Sequence, residues 1–129
     1  MKKLSTLLFI LVLGACSVKS EKQPLNDLKH PFIHTAYFWL KDGLSPEEIN
    51  AFISDCERLQ EIETVEAFYT GSPAKTDREV IENTYDFAAV FHFTDLASQE
   101  YYQQHPLHLE MIEKHQAKWA KVMVTDIEH

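Results

Sequence analysis

Phe32-Ile33-His34-Thr35-Ala36-Tyr37-Phe38-Trp39-Leu40, followed by Lys41-Asp42-Gly43 and Ser45-Pro46-Glu47-Glu48, decides the fold. The first nine residues are aromatic, aliphatic or β-branched with no breaker, which predicts a strand. One face carries His34, Ala36, Phe38 and Leu40, the other Ile33, Thr35, Tyr37 and Trp39. Both are largely apolar, so both are expected to be covered. Lys41-Asp42-Gly43 is a turn. Ser45 then serves as an N-cap, Pro46 suits the first helical turn and Glu48 closes a capping box, predicting a helix to about Ile62.

Outward from that unit, Val65 to Thr70 alternates as a second strand ending at Gly71, and Ser72 to Asn83 is a polar loop with Pro73. Thr84 to Phe93 is a third strand, apolar on both faces. Thr94-Asp95 caps a short helix through Tyr102. His105 precedes Pro106, which disfavours helical geometry at His105 and breaks the pattern. Pro106 opens a helix to about Trp119, and Lys121 to Ile127 is the last strand. The order β-α-β-β-α-α-β predicts an α+β, ferredoxin-like βαββαβ fold, an antiparallel sheet with helices on one face. Strands apolar on both faces then require a second cover, and a second copy of the chain is the simplest one.

Ahead of the domain, Lys2 and Lys3 precede an unbroken apolar run, Leu7 to Leu13. That run is too short to span a bilayer, which takes about 20 residues, but suits a signal-peptide core. Leu13-Gly14-Ala15-Cys16 resembles the bacterial lipobox. Residues 1–15 read as a signal peptide and Cys16 as the lipidated residue. Residues 16–30, polar and containing Pro24, read as that residue and its tether, and 31–129 as the folded domain. This reading places the protein in the bacterial cell envelope, facing the periplasm or the surface, held to a membrane through acyl chains on Cys16. Acylation of Cys16 leaves Cys56 without an intrachain partner. Cys56 shares a helical stripe with Ile49, Phe52, Ile53 and Leu59 and reads as a core residue, not a nucleophile.

The bulk composition narrows function. At 129 residues, 45% of them apolar, the chain has room for one globular domain. Its net charge of −8 repels phosphate backbones, so no nucleic-acid partner is expected. Its three glycines form no phosphate-binding loop, and no cofactor is implied.

Tyr102-Gln103-Gln104-His105-Pro106-Leu107-His108 carries the candidate chemistry. Histidine changes charge near neutral pH, and two lie three residues apart at a helix start. His108, Met111, Ile112, His115 and Trp119 share a helical face, which points His108 towards the apolar interior. There a neutral imidazole can act as a base while Tyr102 orients or polarises a substrate oxygen. His34 is a second inward residue. The plain alternative is a buried Tyr102–His108 hydrogen bond that holds the helix junction. For His105, a contact at the helix start is the simpler role. His34, His105 and His108 match no established metal-ligand spacing, so no metal is assigned. His92 and His115 read as packed or partly exposed, and Tyr37, Trp39 and Phe91 as core or dimer interface.

His34 in the first strand, Lys41-Asp42 after it, Tyr85 and above all Tyr102-x-x-His105-Pro106-x-His108 give the chain from about Phe32 to Glu128 a resemblance to the stress-responsive α/β-barrel (Dabb) family. Pro73-Ala74, Arg78-Glu79-Val80 and Asn83-Thr84-Tyr85 resemble a bacterial branch of it. The resemblance implies a homodimer whose sheets form an α/β barrel. Its best-defined enzyme, the plant polyketide cyclase olivetolic acid cyclase, works without a cofactor. By position, its catalytic pair falls on His108 as base and Tyr102 as partner, with His34 and His105 matching further histidines. This chain carries Phe87 where that enzyme has another histidine. Three functions follow. The first is an envelope lipoprotein dimer that binds a small, partly apolar molecule near Tyr102 and His108, with His34 and His105 as ligand contacts. The second is a cofactor-independent lyase- or cyclase-like enzyme. The third is a structural stress-response protein without a ligand.

Overall fold

Residues 32–128 are described by the structure, a computed structural model, so the expected signal peptide, Cys16 and the expected tether lie outside the described residues. The strands are β1 (Phe32–Leu40), β2 (Ala67–Gly71), β3 (Phe87–Phe93) and β4 (Trp119–Glu128), and the helices α1 (Pro46–Glu57), α2 (Leu96–Gln104) and α3 (Pro106–His115). Short 3-10 turns at Arg58–Glu61 and Gln116–Lys118 extend α1 and α3. The sheet is antiparallel in the order β2-β3-β1-β4, the ferredoxin-like arrangement expected. No helix of the described residues is long and apolar enough to cross a membrane.

Local chemistry sets the boundaries. Gly43 takes φ +85°, a left-handed conformation that turns the chain out of β1 at little cost to glycine. The capping box forms as anticipated: Glu48 N–H donates to Ser45 Oγ at 3.2 Å and Ser45 N–H to Glu48 Oε2 at 2.9 Å. Asp95 caps α2 by accepting the Ser98 N–H at 2.8 Å. Several boundaries differ from the sequence reading, among them β2, which begins at Ala67 instead of Val65, and α2, which runs to Gln104 instead of Tyr102. β3 begins at Phe87 instead of Thr84, because pairing with β1 ends at the Phe38–Phe87 register. Trp119 opens β4 instead of closing α3, because the 3-10 turn ends the helix and the indole packs on Phe38 and Phe52.

The core lies between the helices and one sheet face. Phe32, Ala36, Phe38, Phe87, Ala89, Phe91 and Phe93 are buried there, facing Phe52 and Cys56 of α1, Tyr102 of α2 and Met111 of α3. Phe52 meets Phe38 edge-on at 5.0 Å and Phe87 at 5.6 Å. The other sheet face is partly covered. Tyr85 packs on Tyr37 at 5.1 Å, and Lys121 Nζ lies 4.0 Å over the Trp39 ring. Tyr69, Met123 and Ile127 on that face stay exposed.

A polar clamp joins α1 to α3. His115 is fully buried, which fits the packed reading and goes beyond it. Its Nε2–H donates to Asp55 Oδ2 at 2.8 Å, and its Nδ1 accepts from Lys118 Nζ at 2.9 Å. Lys114 Nζ donates to the same Asp55 oxygen at 2.6 Å. The hydrogen bonds from Lys114 and His115 hold the Asp55 carboxyl below the usual carboxylate range. Its stabilisation is therefore present above the ordinary carboxylate pKa and lost as pH falls through the lowered folded value. Asp55→Asn should cost about 1–3 kcal/mol at pH 7, the range for a buried donor left poorly paired. Urea unfolding at pH 7 and at pH 3 checks this: the deficit should shrink at pH 3, and an equal deficit at both would refute the clamp.

Candidate functional site

Pro106 creates the site. It has no N–H, so α2 cannot run into α3, and His105 adopts φ −66°, ψ 138° between them. The freed groups find local partners. His105 Nδ1 accepts the Leu107 N–H at 3.2 Å, so Leu107 does not bond the Gln103 carbonyl four residues back. That carbonyl instead accepts from His108 Nδ1 at 3.0 Å. Because a carbonyl only accepts, the proton sits on Nδ1, and the neutral ring keeps its lone pair on Nε2.

The break also brings Tyr102, near the end of α2, against His108, in the first turn of α3, with ring centroids 4.6 Å apart. Both side chains are buried. Tyr102 also packs on Phe91 at 5.0 Å and Phe93 at 5.1 Å. The anticipated Tyr102–His108 hydrogen bond does not form: neither the Tyr102 hydroxyl nor His108 Nε2 is hydrogen-bonded to any described residue. Burial pushes the Tyr102 phenol well above its ordinary pKa, so it stays protonated and able to donate. Burial lowers the His108 pKa, against the Gln103 bond that raises it, and nearby His34 lowers it further. At neutral pH His108 is therefore an uncharged base.

His34 completes the polar side. Strand register sets it opposite Phe91 on β3 and Asp126 on β4. Its Nδ1–H donates to Asp126 Oδ1 at 2.6 Å, and its ring lies 6.0 Å from that of Tyr102. These three side chains line a cavity of about 220 Å³ between the sheet and the helices. Its other walls include Ala36, Phe38, Leu59, Phe91, Met111, Ile112 and Trp119, and it reaches β4 at Val122, Val124 and Asp126. Val122 and Val124 are exposed, so the cavity opens along the edge strand. An apolar cavity of about 150 Å³ holds benzene, so this one has room for a ring with a few substituents.

The structure brings together His34, Tyr102 and His108 and leaves His105 out. His105 is the helix-start contact: it caps α3, packs on Tyr101 at 5.9 Å and lies 3.8 Å from Glu63. It is no ligand contact of this cavity. Asp126 and the Gln103 carbonyl were missed from sequence. Asp126 had a signal, an acid at i+2 and i+4 from Val124 and Val122 on one face of β4. The Gln103 carbonyl had none until the Leu107 N–H found another acceptor. Cys56 lines the cavity but is buried, and desolvation pushes its thiol up to about 12. No group of three or more His, Cys, Asp or Glu among the described residues is arranged to hold a metal ion.

The model of the stress responsive A/B barrel domain matches residues 32–129. No curated protein matches the chain. A solved Arabidopsis thaliana protein is 28% identical with TM-score 0.66, over 77% of this chain and 95% of its own. Hydroxynitrile lyase from Passiflora edulis is 22% identical with TM-score 0.67, over 79% of this chain and 95% of its own. A dimeric ferredoxin-like protein of unknown function from Thermobifida fusca is 20% identical with TM-score 0.65, over 84% of this chain and all (100%) of its own.

The raised thiol pKa predicts that Cys56 is inert in the folded state. At pH 8, iodoacetamide followed by peptide mass spectrometry should leave Cys56 unmodified until urea unfolds the protein. Rapid labelling without urea would show an accessible thiolate.

Proposed function

The chain belongs to the stress-responsive A/B barrel domain (Dabb) family, and on that premise we propose that it acts as a homodimer that binds a small, mostly apolar molecule in the cavity beside Tyr102 and His108. One observation carries this reading: an unbonded phenol and an unbonded imidazole lone pair face a largely apolar cavity of about 220 Å³. Polar groups inside a fold are normally paired, and the Trp119 indole N–H, on another residue lining this cavity, is buried without a partner among the described residues, so these groups together are a standing site for a ligand oxygen. Support for the dimer comes from the exposed Tyr69, Met123 and Ile127 on the outer sheet face and from dimeric structural neighbours. The lipobox-like Leu13-Gly14-Ala15-Cys16 supports an envelope location with acyl chains on Cys16.

Native mass spectrometry of the protein extracted from its own host tests this reading. The expected species is a dimer of chains that begin at an acylated Cys16 and retain a small molecule, which His108→Phe, by removing the acceptor and filling space, releases. A monomer at micromolar concentration would sink the dimer. A chain beginning at Met1 would sink the anchor. Retention by His108→Phe would place the ligand elsewhere.

The tautomer of His108 favours a second reading, proton transfer without a cofactor. Nδ1 is committed to the Gln103 carbonyl, so Nε2 is free to take a proton from a bound carbonyl compound while Tyr102 donates to its oxygen. One structural neighbour is a hydroxynitrile lyase, so the scaffold hosts lyase chemistry in at least one protein. Acetophenone in D₂O gives a minimal readout, exchange of its α-protons followed by NMR. Exchange should exceed the buffer rate and vanish in His108→Ala. Because burial lowers the His108 pKa, the active base form persists to lower pH, and the rate should rise through a limb below the ordinary imidazole value of about 6.5. Equal exchange with and without the imidazole would remove His108 from catalysis.

A further inference from the structure

The cavity's hydrogen-bonding inventory narrows what it takes. His108 gives its Nδ1–H to the Gln103 carbonyl, and His34 gives its Nδ1–H to Asp126. With the Nδ1 of each ring committed as a donor, Nε2 is the atom left to accept, and no described residue donates to either. Both rings pack near Tyr102, with centroids 4.6 Å and 6.0 Å from its own. The Tyr102 hydroxyl can donate once and also accept. Beside the Tyr102 ring, two fixed acceptors therefore meet one group that can also donate.

Charge narrows it further. Among the described residues no lysine or arginine lines the cavity, and the one carboxylate at its wall is that of Asp126. A carboxylate or phosphate on a ligand would meet no cation and would face that negative charge. A buried anion without a partner is strongly disfavoured. An ammonium finds little compensation, because Asp126 is already bonded to His34 and its side chain is 46% exposed to solvent. The remaining wall, including Phe38 and Leu59, is mostly apolar, with Gln103 and the unpaired Trp119 indole N–H as its other polar groups.

We propose that the cavity selects an uncharged molecule that carries two hydroxyl donors on a small apolar frame, such as an aromatic or alicyclic diol, with one O–H to His108 Nε2 and the other to His34 Nε2. This deepens, and rests on, the reading of the cavity as a small-molecule site. A molecule with the same frame but no O–H leaves both imidazole lone pairs desolvated and unpaired. Each net hydrogen bond contributes modestly, so two of them amount to a preference of about tenfold or more.

Catechol is the probe, with 1,2-dimethoxybenzene as the same ring and oxygens without a donor, benzoate as the anion and benzylamine as the cation. Each is titrated into the ¹⁵N-labelled protein at pH 7.5 and followed by amide NMR. Catechol should shift resonances of Tyr102 to Ile112 and Val122 to Asp126, and bind about tenfold or more tighter than the other three. In His34→Leu and His108→Leu the preference for catechol over 1,2-dimethoxybenzene should each time fall several-fold, a ratio that stays readable if overall affinity changes. Equal binding of catechol and 1,2-dimethoxybenzene at these resonances would overturn the donor requirement and leave the cavity reading standing. Tighter binding of benzoate or benzylamine would overturn the uncharged class. If none of the four shifts these resonances, both the inference and the reading beneath it fall.

Discussion

The missing N–H of Pro106 is the constraint on which the site depends. An uninterrupted helix would pair Leu107 N–H with the Gln103 carbonyl and leave His108 to settle its own tautomer. With the helix broken, His105 takes the Leu107 N–H and the Gln103 carbonyl turns to His108 Nδ1. One covalent feature of the backbone thus places Tyr102 against His108, fixes which imidazole nitrogen carries the proton and frees the other. His105 acts through this geometry without reaching the cavity.

The rest of the fold holds that corner still. Aromatic packing fixes Tyr102 on Phe91 and Phe93, and the β1–β4 register delivers Asp126 to His34. The Asp55–His115–Lys118 clamp ties α3 to α1 and keeps the helix layer in place. Rigid elements with satisfied partners surround a few polar atoms that have none, and such a contrast marks a ligand site better than any one residue does. The edge strand β4 does double duty: its inner face walls the cavity at Val122 and Val124, and its outer face exposes Met123 and Ile127. In the proposed dimer, the interface and access to the cavity would thereby be linked through one strand.

Most of the fold was legible because its signals are local. The capping box at Ser45, the strand at Phe32–Leu40 and the break at Pro106 each depend on neighbouring residues, and the structure reproduces all three. Trp119 misled because the helical stripe His108–Met111–Ile112–His115 extends to it by period alone, while a 3-10 turn resets the phase at Gln116. The site was half legible. His34, Tyr102 and His108 stood out as residue types on inward faces. Asp126, the Gln103 carbonyl and the His115 clamp depend on strand register, a redirected N–H and helix packing, which a linear pattern does not encode. His105 looked equivalent to His108 in sequence and differs from it only because a cap position points its ring back at the backbone.

The tautomer of His108 is the point from which the functional account hangs, and it is directly observable. Long-range ¹H–¹⁵N correlation of the histidine rings at neutral pH reports which nitrogen of each ring is protonated. The account predicts a neutral His108 with its proton on Nδ1 and a bare Nε2, unchanged when Tyr102 is replaced by Phe. A proton on Nε2, or a spectrum that changes in Tyr102→Phe because the phenol was bonded to the ring, would contradict it.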